Sequence, residues 1–208
     1  MAGYVSAHAA KQWGLTPEAA IALATLSAGA LSVLAGMLAI RRQGIYFAMI
    51  TLALAQLVYF LCLQAPFTGG EDGIQGVPRG RLLGLIDLKD TTAMYLLVMA
   101  IFLAGFGLIW RIVSSPFGEV LMAIRENEAR ALSLGYDTQF FKLIALILSG
   151  TLAGLAGATK SLVFQLASLT DVHWSMSGEV VLMTLIGGLG TLFGPVVGAA
   201  VIVTMQNY

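Results

Sequence analysis

Four stretches of the sequence, from about Glu18 to Ile40, Gly44 to Ala65, Ala93 to Val113 and Phe140 to Val163, are long, predominantly apolar and free of Asp, Glu, Lys and Arg in their middles. A hydrocarbon core of about 30 Å takes about 20 residues of α-helix, and a helix satisfies all its backbone N–H and C=O groups within one segment. These runs define a polytopic helical membrane protein. Composition agrees: 58% of the 208 residues are hydrophobic and 11% are charged, against roughly 25% charged in soluble domains. Only Arg41, Arg42 and Gln43 separate the first two spans, which must therefore form an antiparallel hairpin.

A final apolar region begins near Gly178, is interrupted by GGLGTLFGP from Gly187 to Pro195, and resumes from Val196 to Met205. Glycines and a proline at that density predict two short helices with an irregular join. The expected fold is all-α: a single domain over 1–208, a bundle of about five to six spans. Gly187, Gly188 and Gly190, with Thr191, either serve helix packing or give an irregular backbone lining a cavity. Thr51 and Gln56, polar interruptions of the second span, join them as candidate lining of a translocation path. Ser149, Gly150, Gly154 and Gly157 form a small-residue stripe suited to helix contact. Between the second and third spans, Pro66 to Thr92 is polar, and its TGGEDGIQG reads as tight turns or as a docking surface.

The segment from Ser115 to Asp137, SPFGEVLMAIRENEARALSLGYD, is unusually charged for this chain. At 100° per residue, Val120, Leu121, Ile124, Ala131 and Leu132 share one side; Glu119, Glu126, Arg130 and Ser133 share the other. One amphipathic helix is expected, capped by Ser115, with Pro116 in its first turn, Glu119 at the positive dipole end and Gly135 in a left-handed C-terminal turn. Glu126 and Arg130 are spaced as an i,i+4 pair. Glu128 points into the apolar sector, with Arg125 as the cation to answer it. Such a helix lies on lipid headgroups or docks into a partner's groove.

Formal net charge is zero, which gives no electrostatic basis for binding nucleic acid. His8 and His173 are far apart in sequence without a ligand-like cluster, the lone Cys62 lies in an apolar run, and no metal or cofactor is expected. GATKS, from Gly157 to Ser161, has Thr159 where a phosphate-binding loop needs glycine. No catalytic constellation is present, so an enzyme is not expected. MAGYVSAHAAKQW, at the N-terminus, lacks the features of a cleavable signal peptide. Transporters driven by protons or ions commonly carry ionisable groups at membrane depth; here the spans offer none, so the driving energy is expected to enter through the segment 115–137. Basic residues divide six to five, with Arg41, Arg42, Arg111, Arg125, Arg130 and Lys142 inside if that segment is cytoplasmic.

RRQGIYFAMITLALAQ, TGGEDGIQG, SPFGEVLMAIRENEARALSLGYD, LSGTLAGLAGA and SGEVVLMTLIGGLGTLFGPVVGA, in this order, resemble successive signatures of the LivM-type permeases of branched-chain amino-acid ABC importers. The resemblance runs from about Ser27 onward. It implies a multi-pass subunit of the bacterial inner membrane whose cytoplasmic loop, 115–137, couples to an ATP-binding cassette ATPase subunit. Coupling residues implied by it are Arg125, Glu126, Asn127, Glu128, Ala129 and Gly135. This chain departs from the general EAA pattern at Arg130, which replaces its second alanine, and at Gly135, one position late. Implied partners are two ATPases, a homologous second permease, a periplasmic solute-binding protein and the lipid bilayer. The resemblance also implies a longer parent, with spans before the first one here and a tail after the GP segment. An ATP-independent channel or facilitator and a urea or amide permease of the same plan are the alternatives.

Overall fold

The computed structural model describes residues 1–42, 44–82 and 86–206. In chain order the helices are α1 (Ala2–Lys11), α2 (Pro17–Ala39), α3 (Ile45–Gln64), α4 (Thr91–Val113), α5 (Pro116–Glu126), α6 (Glu128–Ser133), α7 (Thr138–Phe164), α8 (Trp174–Gly187) and α9 (Gly194–Gln206). Among the described residues α2, α3, α4 and α7 are long and apolar enough to cross a membrane, and α8 and α9 are shorter apolar helices. Four long and two shorter apolar helices bear out the expected all-α, polytopic character of the chain. Each long helix starts and ends within about two residues of the boundary read from sequence. Asp90 and Asp137 fix two of the starts, accepting bonds from the amides of Thr92 (3.3 Å) and Phe140 (3.2 Å).

Two compact units are present, Met1–Leu169 and Thr170–Tyr208. The first is organised on α2 and α7, which run antiparallel along a seam of small residues. A side chain at Gly36 would meet Leu143 and Leu146, one at Gly150 would meet Ser32, and one at Gly154 would meet Ala28. Lipid supplies no hydrophobic drive for helices to associate, so close backbone approach and dispersion hold such a seam. Gly150, Gly154 and Gly157 thus form the expected stripe. Ser149 does not belong to it: its side is exposed.

The N-terminal segment, for which no element is expected from sequence, folds as α1 and packs on α7 and α2. Ala2, Ala7, Ala9 and Ala10 are buried, and the Ser6 and Ser161 hydroxyls are hydrogen-bonded at 2.6 Å. The signal was composition: alanines and Ser6 present a surface small enough to lie on glycines. Nearby, the polar loop is built of 3₁₀ turns (Pro66–Thr68, Gly70–Asp72) with left-handed glycines at 69 and 70. Strand β1 (Ile74–Gln75) leads to β2 (Arg81–Leu82) and β3 (Ile86–Asp87), which pair with each other, while β1 pairs with β4 (Leu166–Ala167). Lys11 donates to the Gln75 carbonyl (2.7 Å) and Arg79 to that of Val163 (2.9 Å), tying this loop to the bundle.

In the second unit, α8 begins at Trp174, four residues before the expected Gly178, because His173 Nδ1 accepts from the Ser175 amide and caps it. Residues 188–193 form the irregular join. A side chain at Gly187 would meet the Gly194 backbone, and one at Gly198 the Met183 carbonyl, so α8 and α9 are antiparallel. At 14 residues, α8 reaches about 21 Å, short of a full hydrocarbon crossing.

Candidate functional site

The segment 115–137 is not one helix. α5 and α6 meet at Asn127, whose backbone is extended (φ −156°, ψ 99°) and whose side-chain oxygen caps α6 by accepting from the Arg130 amide at 3.0 Å. Asparagine competes for backbone donors in this way, which makes it a better cap than a helix-interior residue. Its position inside an unbroken periodic run was the available sign. The break removes the spacing of the expected Glu126–Arg130 pair, and no ion pair joins them among the described residues.

At the start of α5, Ser115 does not cap: its hydroxyl donates back to the Ile112 carbonyl at 2.6 Å and closes α4 instead. A side chain at Gly118 would strike the Val113 and Ile112 carbonyls, so glycine permits the sharp α4–α5 turn. Phe117 stacks on Phe141 (5.5 Å, 23° between planes), Ile124 is buried, and α5 is thereby seated on α7. α6 buries Ala131 and ends as expected with Gly135 left-handed at φ 90°. There the Tyr136 amide donates to Ala131 and the Gly135 amide to Leu132, the paired bonds of a Schellman turn.

Among the described residues the ion pair of Glu128 is with Lys142, on α7, and not with Arg125. The Lys142 ammonium donates to its carboxylate at 2.6 Å and the Thr138 hydroxyl at 3.1 Å, fastening the first residue of α6 to the first turns of α7. The Lys142 hydrogen bond, above all, holds the Glu128 carboxyl below the ordinary glutamate range, against a smaller opposing effect of burial. Sequence reading missed Lys142 because helical periodicity pairs residues within one element; a lysine one turn into an apolar span nonetheless calls for a counter-charge.

Of the six candidate coupling residues, Arg125, Glu126, Asn127, Ala129 and Gly135 are exposed, and Glu128 is half-buried against α7. Beside them Met122, Leu132 and Leu134 leave apolar side chains more than half exposed. The module thus has a back fastened to α7 and a front that mixes charged and apolar groups. The candidate path residues fall on α3 and at the α8–α9 join. Thr51 is half-buried on α3 with its hydroxyl turned to its own helix, donating to Phe47 (3.1 Å) and Ala48 (3.0 Å). Gln56 is also half-buried on α3, five residues on and hence on a different face. Gly187, Gly188, Gly190 and Thr191 are brought together at the α8–α9 join, where Gly188 has φ 95° and its carbonyl accepts from the Thr191 amide at 3.5 Å. Among the described residues no three His, Cys, Asp or Glu side chains gather as a metal site.

Residues 1–208 match the family of branched-chain amino acid transport system permease components. The chain belongs to that family. The chain is 27% identical over 218 residues to the high-affinity branched-chain amino acid transport system permease protein LivM of Escherichia coli (strain K12), covering 94% of the chain and 51% of that protein. It is 26% identical, with the same coverage, to the protein of that name from Salmonella typhimurium (strain LT2). The chain therefore spans about half the length of these relatives. No solved structure matches it. With its apolar helices, family membership makes it a multi-pass membrane protein, of the inner membrane in a bacterium.

Proposed function

We propose that the chain is a non-catalytic transmembrane part of an ABC importer for branched-chain amino acids, and that residues 115–137 are its cytoplasmic coupling loop. One observation carries this reading: a two-helix module fastened at its back to α7 by Glu128, Lys142 and Phe117 while Arg125, Glu126, Asn127 and Ala129 face outward. A module so built transmits a push on its front to α7 and, through the small-residue seam, to α2. ATP is hydrolysed by partner ATPase subunits; a homologous second permease and a periplasmic solute-binding protein complete the assembly, and alternating access follows from movement of the module. Glu128 acts here as a brace rather than a contact. Thr51, Gln56, Gly187, Gly188, Gly190 and Thr191 are proposed to line the path, the glycines by allowing non-helical backbone inside protein.

In the complete importer, Arg125→Ala combined with Glu126→Ala is expected to lower ATP-dependent uptake at least tenfold, on the order of 1.4 kcal/mol of lost coupling, while membrane levels stay unchanged. Uptake and ATPase association both at parental levels would refute the coupling role. Uptake independent of ATP would favour a facilitator.

A further inference from the structure

We propose that the cleft between Arg42, just beyond the end of α2, and α7 binds the phosphate of a net-anionic headgroup, as carried by an anionic phospholipid. The cleft measures about 370 Å³ and is lined by Ile40, Arg42, Phe47, Glu128, Lys142 and Leu146. Two cations and one carboxylate face it, a net positive charge. Lys142 spends one donor on Glu128 at 2.6 Å, and an ammonium has three. Arg42 is exposed, and among the described residues its five donors meet no hydrogen-bonding or ionic partner. A guanidinium fork is matched to phosphate oxygens.

Position selects the ligand class. Arg42 stands three residues beyond the end of α2 at Ala39, and Lys142 stands one turn into α7. Both therefore lie where spanning helices leave the hydrocarbon and phosphates begin. Below them Ile40, Phe47 and Leu146 form apolar walls that suit the start of an acyl chain, which a freely soluble anion would leave unfilled. This end also carries Arg41 and Arg111, adding to its attraction for an anionic leaflet.

The test is native mass spectrometry of the full chain in neutral detergent, titrated with phosphatidylglycerol or phosphatidylcholine. Phosphatidylglycerol is expected to be retained preferentially, and Arg42→Gln to cut that retention roughly fivefold, the worth of one interfacial cation. Arg81→Gln, at the opposite end, should behave as the parent, while Arg42→Lys should fall between the parent and Arg42→Gln, keeping the charge but not the fork. Equal retention of the two lipids, or an unaltered Arg42→Gln variant, overturns the lipid assignment. Thermal stability in sodium phosphate against matched chloride separates the sources. Arg42-dependent stabilisation by phosphate without lipid preference assigns the cleft to the free anion; neither response overturns the site altogether.

Discussion

Glu128 joins two elements that have few other reasons to stay together, because α6 is short and buries little besides Ala131. Its carboxyl is held below the ordinary range, chiefly by the Lys142 hydrogen bond. A carboxyl depressed in the folded state stabilises above its unfolded pKa, and the contribution is lost as pH falls through the folded value. The tie is thus complete at neutral pH and fades below about 4, the unfolded range. Protection of the amides at residues 128–134, corrected for the intrinsic pH dependence of exchange, should fall over that acid window in the parent and be insensitive to it in Glu128→Gln. A double-mutant cycle of Glu128→Ala and Lys142→Ala is expected to return about 0.5–1 kcal/mol, since both side chains remain partly solvated. Additive single effects would mean that the pair does not fasten α6.

At the scale of elements, the glycines of the spanning helices have unequal duties. Gly154 is buried against Ala28, whereas Gly107 on α4 has open space around the place a side chain would occupy. Gly154→Leu is expected to cost about 1–3 kcal/mol by forcing α2 and α7 apart, and Gly107→Leu to cost little. Thermal unfolding in detergent reports the difference, and equal stability of the two variants would reject the seam. This seam, the long spans and the α8–α9 join were legible in sequence, because apolar runs, small-residue stripes and glycine-proline clusters are local statements about lipid and backbone. Asn127 was not: amphipathic periodicity continues across it, and only the cap it makes to Arg130 reveals the break. α1 escaped for the opposite reason, since its alanines carry no amphipathic stripe and its burial depends on α7 lying more than a hundred residues away. Lys142 was likewise visible as a residue but not as a partner.

For the first unit as a whole, the two ends are chemically distinct. One gathers the α2–α3 turn, α5 and α6; the other gathers α1, the glycine-rich loop and the paired short strands. With Cys62 replaced by alanine, Arg125→Cys and Lys89→Cys should react with a membrane-impermeant maleimide from opposite faces of sealed vesicles. Labelling of both from one face would contradict the passage of α4 through the bilayer between them. The hydroxyl contact of Ser6 with Ser161, across 155 residues, carries a consequence for biogenesis. α1 and α2 leave the ribosome long before the helix that covers them exists. Their small-residue faces must wait in the membrane while two further spans are inserted, so insertion precedes packing and late arrival of α7 closes the structure. A nascent chain halted before α7 would hold its spans in place without a core, exposed to membrane quality control, and commitment of this unit waits for α7.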